Sequence, residues 1–250
     1  ANIYSNVFYD GLLEHNKSDC DGIVKFKATL SFDSLNIIEY QTTSLEGINK
    51  IDYIDKSPYH IYSALFAYEL SKFLAYNIVN NDSKIKIGII SPYKTQSSII
   101  NKMINNIDIP DNIKISAGTV HKFQGEECDI IILVVNTSSE GYSKNANDNN
   151  ILNVAISRAK EYLFILTPDQ CDDLNNLKKV IKNIAVNSKK VYNSYDVETL
   201  MFDDRDYIKN NTEFMKHQKI NVYTNNVSKY IVRTNEKDDN KTIDIIFNKK

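Results

Sequence analysis

Two stretches of this sequence place polar residues that could bind an anion directly beside apolar runs that could form strands. The first is GTVHKFQGEECDIIILVVN, from Gly118 to Asn136, and the second is NILNVAISRAKEYLFIL, from Asn150 to Leu166. Gly125 permits a backbone turn that a larger residue would resist, and such a turn lets main-chain N–H groups approach an anion. Arg158 carries a permanent charge and several N–H donors, so it could bind a phosphate or form an ordinary ion pair on a helix surface.

The apolar runs around these residues predict strands of a parallel sheet. Ile130 to Val135 is an unbroken, β-branched run, which is typical of a strand covered on both faces, and Leu163 to Leu166 repeats it more briefly. Leu152 to Lys160 lies between them and predicts a short helix, with Asn149 or Asn150 as its cap. A strand, a helix and a strand in this order form a parallel crossover unit, and such sheets bind ligands at their strand ends.

Alternating strand and helix patterns also run through the sequence upstream of Gly118. The predicted strands are Gly22 to Leu30, Leu35 to Tyr40, Ile85 to Ile90 and Ile113 to Val120. The other predicted elements are a loop over Ser44 to Ser57, an amphipathic helix from Pro58, capped by Ser57, to about Val79, and a helix from Gln96, capped by Thr95, to Ile104. This alternation predicts an α/β fold: a mostly parallel, doubly wound sheet flanked by helices.

The sequence changes character after Asn187. Before that residue, Thr137 to Asn149 predicts an exposed polar loop and Asp172 to Val186 predicts a helix. After it, the predicted elements are short helices over Val197 to Phe202 and Tyr207 to Met215, and strands over Ile220 to Tyr223, Tyr230 to Arg233 and Ile243 to Phe247. We therefore expect one domain over residues 1–187 and a C-terminal extension over 188–250, which forms either a small α+β appendage or extra strands on the main sheet.

Composition and charge exclude several classes of function. The 250 residues carry a net charge of −2, so nucleic-acid binding would need a local surface because the summed field does not favour it. Cys20, Cys128 and Cys171 lie far apart without metal-ligand spacing, so we expect free thiols in a reducing cytoplasm and no metal site. The sequence contains no apolar run near the roughly 18 residues that span a membrane, and no signal peptide. It also lacks a GxxxxGK[ST] phosphate loop.

Several segments resemble a known family. VHKFQGEECDIIIL resembles motif V of the superfamily 1 helicases, and LNVAISRAKEYLFIL resembles their motif VI. The pattern FQG-x-E-x-D followed by LNVA-[LI]-[ST]-RA-[KR] is similar to the branch that includes the RNA helicases of nonsense-mediated decay. Ser5 to Leu13 resembles the segment after motif IV in that branch. The resemblance implies a second RecA-like motor domain over about Ser5 to Pro168, with a first motor domain upstream that carries the phosphate loop.

The resemblance also implies nucleotide-binding residues. Arg158 matches the arginine finger, whose guanidinium stabilises charge on the transferring γ-phosphate and which we expect on the motif VI helix. Glu127 matches the acidic residue that contacts the nucleotide, and Gln124 and Gly125 would lie near the phosphates. ATP and Mg²⁺ would be bound jointly with the N-terminal motor domain that this chain lacks. Lys160 could reach a phosphate, although a solvated lysine fits as well, while Asn153 and Ser157 would orient the helix.

A single strand of DNA or RNA would run across other residues. The positions that match the family's nucleic-acid track are Ser91, Pro92, Tyr93, Thr119, Val120 and His121. Small hydroxyls and backbone N–H groups suit phosphate binding without base readout, and Tyr93 could stack on a base. Lys122 is a further candidate phosphate contact. Glu126 and Cys128 depart from the family pattern and make the FQG turn more acidic, and Asp129 would pair locally to hold this loop.

Three hypotheses follow from these observations. The first is the C-terminal motor domain of an ATP-dependent superfamily 1 helicase or translocase, inactive alone because it has no phosphate loop. The second is a RecA-like module that binds nucleic acid without coupling to ATP hydrolysis. Arg158 and Glu127 argue against this, because a pure binder has no need of them. The third is an unrelated α/β domain whose two motifs match by chance.

Overall fold

The computed structural model describes residues 23–41, 47–79, 83–105, 107–136, 148–169, 189–216, 228–237 and 240–248. Its strands there are β1 (Leu35–Tyr40), β2 (Ile51–Ile54), β3 (Ser57–His60), β4 (Ile85–Ser91), β5 (Ile113–Thr119), β6 (Cys128–Val134), β7 (Ala159–Pro168), β8 (Lys189–Asn193), β9 (Thr212–Lys216), β10 (Tyr230–Lys237) and β11 (Asn240–Phe247). Its helices there are α1 (Ile61–Asn77), α2 (Lys94–Ile104), α3 (Asn149–Ser157), α4 (Ser194–Phe202) and α5 (Tyr207–Asn210), with 3-10 helices at Gly47–Asn49 and Val120–Phe123.

Six parallel strands in the order β5-β4-β6-β7-β1-β8 form the main sheet. The fold class predicted from the sequence is therefore confirmed. After β4 the chain continues to β5 on one side, whereas after β6 it continues to β7 on the other side. In such sheets the divergence of two neighbouring connections opens a crevice at the carboxyl ends of the strands. Here that crevice lies at the ends of β4 and β6.

Both faces of the main sheet are covered, because side chains that alternate along each strand enter two separate cores. In β6, Ile130 and Ile132 pack in the core that contains α1 and α2. Ile131 and Leu133 point the other way, into the core that contains α3 and the 3-10 helix at Val120–Phe123. All seven residues of β6 are buried, which explains its continuous apolar run from Ile130 to Val134.

The segment before α1 differs from its predicted form. It was expected to be a loop followed by a helix that begins at Pro58, but β2 and β3 form a hairpin here and Pro58 lies inside β3. Asp55 and Lys56 have positive φ angles of 48° and 63°, as a two-residue hairpin turn requires. The turn escaped prediction because it lacks the Asn or Gly that normally signals such a conformation, and Pro58 is tolerated because the hairpin has only two strands.

Helix α1 begins at Ile61, with His60 as its N-cap, and it ends at Asn77 rather than Val79. Every residue from Ile61 to Ser71 is buried, so the helix lacks the solvent-exposed face that an amphipathic pattern predicts. The reason is the second sheet, in which β10 pairs antiparallel with β11 and parallel with β9. Tyr230 of this sheet donates a hydrogen bond to Glu69 of α1 at 2.6 Å, and Lys229 pairs with the same carboxylate at 3.1 Å.

The C-terminal extension contributes to both sheets. β8, which follows the expected boundary at residue 188, is the edge strand of the main sheet beside β1, while β9, β10 and β11 form the small second sheet. The predicted helix over Tyr207 to Met215 is wrong in its second half, because α5 ends at Asn210 and β9 follows. Tertiary pairing with β10 decides this, since Thr212 to Lys216 have a parallel partner strand.

Other boundaries need smaller corrections. Gly22 to Leu30 forms no strand within its described residues, where Phe26 makes only an isolated bridge to Ile78. α2 begins at Lys94, and its N-cap is Tyr93 rather than Thr95. Several predicted features lie outside the described residues: Ser5 to Leu13, Cys20, residues 137–147 of the predicted loop, Cys171, the predicted helix at Asp172 to Val186 and the strand at Ile220 to Tyr223.

Candidate functional site: two edges of one sheet

The segment between β5 and β6 connects the two opposite ends of the strands in the main sheet. β5 ends at Thr119, opposite the end of β4 at Ser91, whereas β6 begins at Cys128, opposite the start of β7 at Ala159. Because β5 and β6 run in the same direction, residues 120–127 must return the chain across one face of the sheet. The candidate residues are consequently divided between two ends of the sheet. Thr119 to His121 lie at the carboxyl ends of the strands, and Gln124 to Glu127 lie at their amino ends.

Five of the six candidate nucleic-acid contacts line one groove at the carboxyl ends of β4 and β5. They are Pro92, Tyr93, Thr119, Val120 and His121. The groove has a volume of about 600 Å³, and its remaining walls are Asp55 to Pro58 and Lys94. His121 is exposed, so its imidazole is accessible from solvent. These residues come from three separate parts of the chain, so the tertiary structure brings together candidates that the sequence names separately.

Three of the candidates are buried beneath this surface, among them Val120, which is 5% exposed and packs in the second core. Ser91 is fully buried, and its hydroxyl accepts a hydrogen bond from the Tyr93 amide at 3.3 Å, so it shapes the strand end. The side chain of Tyr93 is only 4% exposed and belongs to the second core, which leaves no free ring face for the expected stacking on a base. Lys122, the further phosphate candidate, donates its ammonium to the Ala117 carbonyl at 2.7 Å.

At the amino end of β6, Gln124 to Glu127 form a turn, and all four of its residues are exposed. Gly125 has a φ of +87°, which residues with a side chain rarely adopt, while a Cβ there would meet nothing within 4 Å. The backbone conformation, rather than lack of space, therefore requires glycine. Phe123 anchors the turn, because its ring is fully buried and packs where a Cβ on Gly88 of β4 would otherwise be.

Arg158 lies in the turn between α3 and β7, one residue beyond the helix on which the sequence analysis places it. The difference arises because β7 pairs with β6 from Ala159 onward, which ends the helix at Ser157. Its Nε donates to the Val154 carbonyl at 3.2 Å, and its Nε and Nη2 contact the Ser157 Oγ at 3.3 and 3.0 Å. Ser157, expected to orient the helix, also donates its hydroxyl to the Val154 carbonyl at 3.0 Å, so its oxygen contacts both the helix backbone and Arg158.

The guanidinium of Arg158 retains unused donors. It is half-buried, and no carboxylate among the described residues lies within ion-pair distance of it. A guanidinium has five N–H donors, of which the contacts with Val154 and Ser157 use only Nε–H and one N–H of Nη2. The remaining N–H groups suit a phosphate oxygen, so the ordinary ion pair considered from the sequence is not what holds this side chain.

Strand β6 begins with residues that stabilise the amino ends of three neighbouring strands. The Asp129 carboxylate is buried, accepts a hydrogen bond from the Lys86 amide at 2.8 Å and lies 3.8 Å from the Lys160 ammonium. Asp129 thereby joins the starts of three strands, and Lys160 has this partner rather than open solvent. Cys128 is a buried free thiol, and burial, followed by the nearby Asp129 and Glu126 carboxylates, raises its pKa to about 11. The thiol therefore stays protonated at neutral pH.

The residues at this end of the sheet fit the phosphate part of a nucleotide but not a resident metal ion. The fit rests on the unused Arg158 donors and on the exposed Gly125 turn. Among the residues that the structure describes, no group of three or more His, Cys, Asp and Glu side chains could hold a metal ion. Likewise, no helix in the described ranges has the length and apolarity needed to span a membrane.

The hairpin wall of the groove was missed by sequence reasoning. Asp55, Lys56 and Ser57 fall in a segment predicted to be a loop, and Lys94 is not among the candidate contacts named from the sequence. The hairpin turn has no glycine or asparagine to signal it. Its position beside Thr119 and His121 depends on long-range packing, so no local pattern could have revealed it.

Comparisons with known proteins agree with this architecture. The family described as an AAA domain (AAA_12) matches residues 1–170. Over 135 residues, 54% of this chain and 18% of the relative, the chain is 34% identical to an uncharacterized ATP-dependent helicase of Methanocaldococcus jannaschii. It is 33% identical to the RNA helicase Mov10l1 of Homo sapiens over 100 residues, which cover 37% of the chain and 8% of the relative.

A third relative is the DNA replication ATP-dependent helicase/nuclease DNA2 of Gallus gallus, 37% identical over 82 residues, which cover 32% of the chain and 8% of that protein. The chain thus spans less than a fifth of the length of these relatives. The family match extends over more than half of the chain and contains both recognised motifs. The chain therefore belongs to the AAA domain family, and its resemblance to the second RecA-like motor domain of the superfamily 1 helicases is confirmed.

Proposed function

We propose that this chain is the C-terminal motor domain of an ATP-dependent helicase or translocase that acts on single-stranded nucleic acid. The observation that carries the proposal is the guanidinium of Arg158, which is half-buried, has no carboxylate partner among the described residues and directly precedes β7, the neighbour of the strand that follows the exposed Gly125 turn. A cation held in this way, with donors to spare, suits a ligand that brings its own negative charge.

On the nucleotide side, Arg158 would bind the γ-phosphate and Glu127 with Gln124 would contact the rest of the nucleotide. When bound between this domain and a first motor domain, ATP supplies the energy for closure of the two domains. The phosphate loop and the Mg²⁺ ligands would come from the first motor domain, since this sequence has no GxxxxGK[ST] segment. The 250-residue chain alone is accordingly expected to hydrolyse ATP negligibly.

On the nucleic-acid side, the groove lined by Pro92, Thr119, Val120 and His121 would hold one strand by its backbone. The buried Tyr93 supports the groove from below rather than stacking on a base. Residues 120–127 connect the carboxyl end of β5 to the amino end of β6, and the buried Phe123 anchors the middle of this segment to the sheet. A shift of the FQG turn on nucleotide binding would therefore be transmitted to Thr119 and His121 over a short segment that Val120 and Phe123 anchor to the sheet.

The test is ATP hydrolysis by the full parent protein, with and without single-stranded DNA or RNA, in wild type and Arg158→Ala. We expect strand-stimulated turnover that falls about 10³-fold or more in the variant, as for arginine fingers of other NTPases, with nucleotide binding largely kept. Arg205→Ala is the matched control, because Arg205 is an exposed arginine of the C-terminal extension whose ion-pair partner is the neighbouring Asp206.

The alternative outcomes separate the hypotheses. Turnover that survives Arg158→Ala would reject the arginine-finger role while leaving the motor intact. A wild-type parent that binds a single strand but never hydrolyses ATP would instead support the nucleic-acid-binding module without ATP coupling. Comparison of a DNA strand with an RNA strand of matched length would identify the preferred track.

A further inference from the structure

The β2–β3 hairpin forms the wall of the groove that faces Thr119 and His121. Its turn residues Asp55 and Lys56 are exposed, and they line the groove together with Ser57 and Pro58. Lys94, also exposed, stands at the start of α2 on the same side of the groove. The groove is therefore bounded by two lysines and a histidine, with Asp55 as the opposing charge.

The hairpin is tied to α2 by side-chain contacts near its turn. The Ser57 Oγ accepts a hydrogen bond from the Thr95 amide at 3.1 Å, and the Thr95 hydroxyl donates to the Ile54 carbonyl at 3.4 Å. His60, at the end of β3, donates its amide to the buried Gln96 Oε1 at 2.8 Å. These bonds hold the hairpin turn over the groove rather than leaving it free in solvent.

The C-terminal sheet holds the other end of the hairpin. The Lys241 ammonium of β11 lies 2.5 Å from the Asp52 carboxylate of β2 and 5.7 Å from the centre of the Tyr59 ring of β3. Although burial opposes ionisation of Asp52, its hydrogen bonds with Lys241 and the Tyr53 amide leave its pKa below the usual value. Lys241 thus contacts both strands of the hairpin, and it belongs to a sheet to which the sequence assigned no role.

We propose that the hairpin is an additional part of the single-strand site: Lys56 and Lys94 bind backbone phosphates, and the C-terminal sheet positions Lys56 through Lys241. This inference rests on the proposed nucleic-acid groove and adds a contact and a positioning element to it. The chemistry is that of a phosphodiester backbone, because the ammonium groups offer charge without a pattern that could read bases. Lys241 does not touch the strand and acts only by fixing the hairpin.

The first experiment measures binding of fluorescein-labelled oligo-dT and oligo-U to the 250-residue chain by anisotropy, over a series of salt concentrations. Lys56→Ala should raise the Kd about fivefold for both oligonucleotides, which is the upper end for an exposed ion pair. It should also reduce the slope of log K against log salt by about 0.7, the value for one phosphate contact on a single strand. Lys114→Ala, which removes an equally exposed lysine from β5 outside the groove, should change neither quantity.

The outcomes distinguish this inference from the proposed function. If the wild-type chain binds both oligonucleotides but Lys56→Ala behaves like Lys114→Ala, the hairpin contact is rejected and the groove stands. If the wild-type chain binds neither oligonucleotide even at low salt, the proposed groove fails and the hairpin contact fails with it.

The second experiment isolates the positioning role of Lys241. Lys241→Ala should weaken binding as Lys56→Ala does, and the double variant should bind no worse than Lys56→Ala alone, because one contact is lost in both cases. Lys102→Ala is the control, since Lys102 contacts Asp244 and the Ile243 carbonyl of β11 without touching the hairpin. Additive losses in the double variant, or equal losses in Lys102→Ala and Lys241→Ala, would show a general effect on stability and reject the positioning role.

Discussion

The backbone amide of Cys128 donates a hydrogen bond to the carbonyl oxygen of Arg158 at 2.9 Å. This bond joins the start of β6 to the residue before β7, and the next register pair is Cys128 with Ala159. The turn that contains Gly125 and the backbone of Arg158 are consequently held at the same end of a parallel sheet by main-chain pairing. The sheet fixes the backbone of Arg158, and the contacts with Val154 and Ser157 orient its guanidinium.

Ser157 is expected to position Arg158 for catalysis. Ser157→Ala removes the oxygen that the Nε and Nη2 groups contact at 3.3 and 3.0 Å, so the guanidinium loses two of its fixed contacts. We expect the ATP hydrolysis rate of the parent protein to fall about tenfold to a hundredfold, with a smaller change in KM, because misplacement rather than removal is the defect. Ser157→Thr keeps the hydroxyl and should retain most of the rate. Equal losses in both variants would contradict this role.

Gly125 is expected to be required for its backbone angle alone. Its φ is +87°, and nothing lies within 4 Å of the position that a Cβ would occupy. Gly125→Ala should therefore lower the free energy of unfolding by about 1–2 kcal/mol through backbone strain. Gly125→Asn should cost less, because asparagine tolerates positive φ better. Urea denaturation of the chain would measure both values, and an alanine variant as stable as wild type would show that the turn relaxes without strain.

Gly88 is expected to make room for residues 120–127, which connect β5 to β6. A Cβ at this position would lie 2.8 Å from the Phe123 ring, 2.8 Å from the Ile131 side chain and 2.9 Å from the Cys128 sulfur. Gly88→Ala should destabilise the chain by about 1–3 kcal/mol through overpacking. The double variant Gly88→Ala with Phe123→Leu should recover part of this loss, since leucine vacates the ring edge. Thermal unfolding would report both, and strictly additive losses would argue against the contact.

Two buried groups are expected to give opposite pH dependences of stability. Burial raises the pKa of the Glu198 carboxyl from 4.5 to about 7, against the hydrogen bonds from Tyr62 and the Ile208 amide and with Asp206 and Asp204 adding to the rise. Because the folded chain then binds the extra proton, this group makes stability fall as pH rises from 4.5 to 7. Burial lowers the pKa of His60 from 6.5 to about 4. This group therefore makes stability rise as pH increases from about 4 to 6.5.

The two slopes, each at most about 1.4 kcal/mol per pH unit, should largely cancel in the wild-type chain. Glu198→Gln should leave a stability that rises with pH up to 6.5, the unperturbed value for His60. His60→Asn keeps an N-cap for the Ser63 amide and should leave a stability that falls toward pH 7. Urea denaturation across this pH range would measure the slopes. Unchanged slopes in both variants would reject the assignment.

Much of the central sheet could be predicted from the sequence. The predicted strands at Leu35 to Tyr40 and Ile85 to Ile90 are strands in the structure, and the run from Ile130 to Val135 lies in β6 except for Val135, because strands buried on both faces are rich in apolar residues. The two motifs could be found for a related reason, since each follows or precedes such a strand at a short distance. The role of Arg158 stays a prediction, while its expected place on the helix was wrong by one residue.

The sequence by itself determined the α/β class and the mostly parallel sheet, and it named the candidate site residues, because apolar patterns and motif residues are adjacent in the chain. Only the tertiary structure decided which of them are accessible. Tyr93 is buried and Lys56 is exposed at the groove because of packing by segments far away in the sequence. The same long-range packing buries α1 from Ile61 to Ser71 and ties the C-terminal sheet to the hairpin through Lys241.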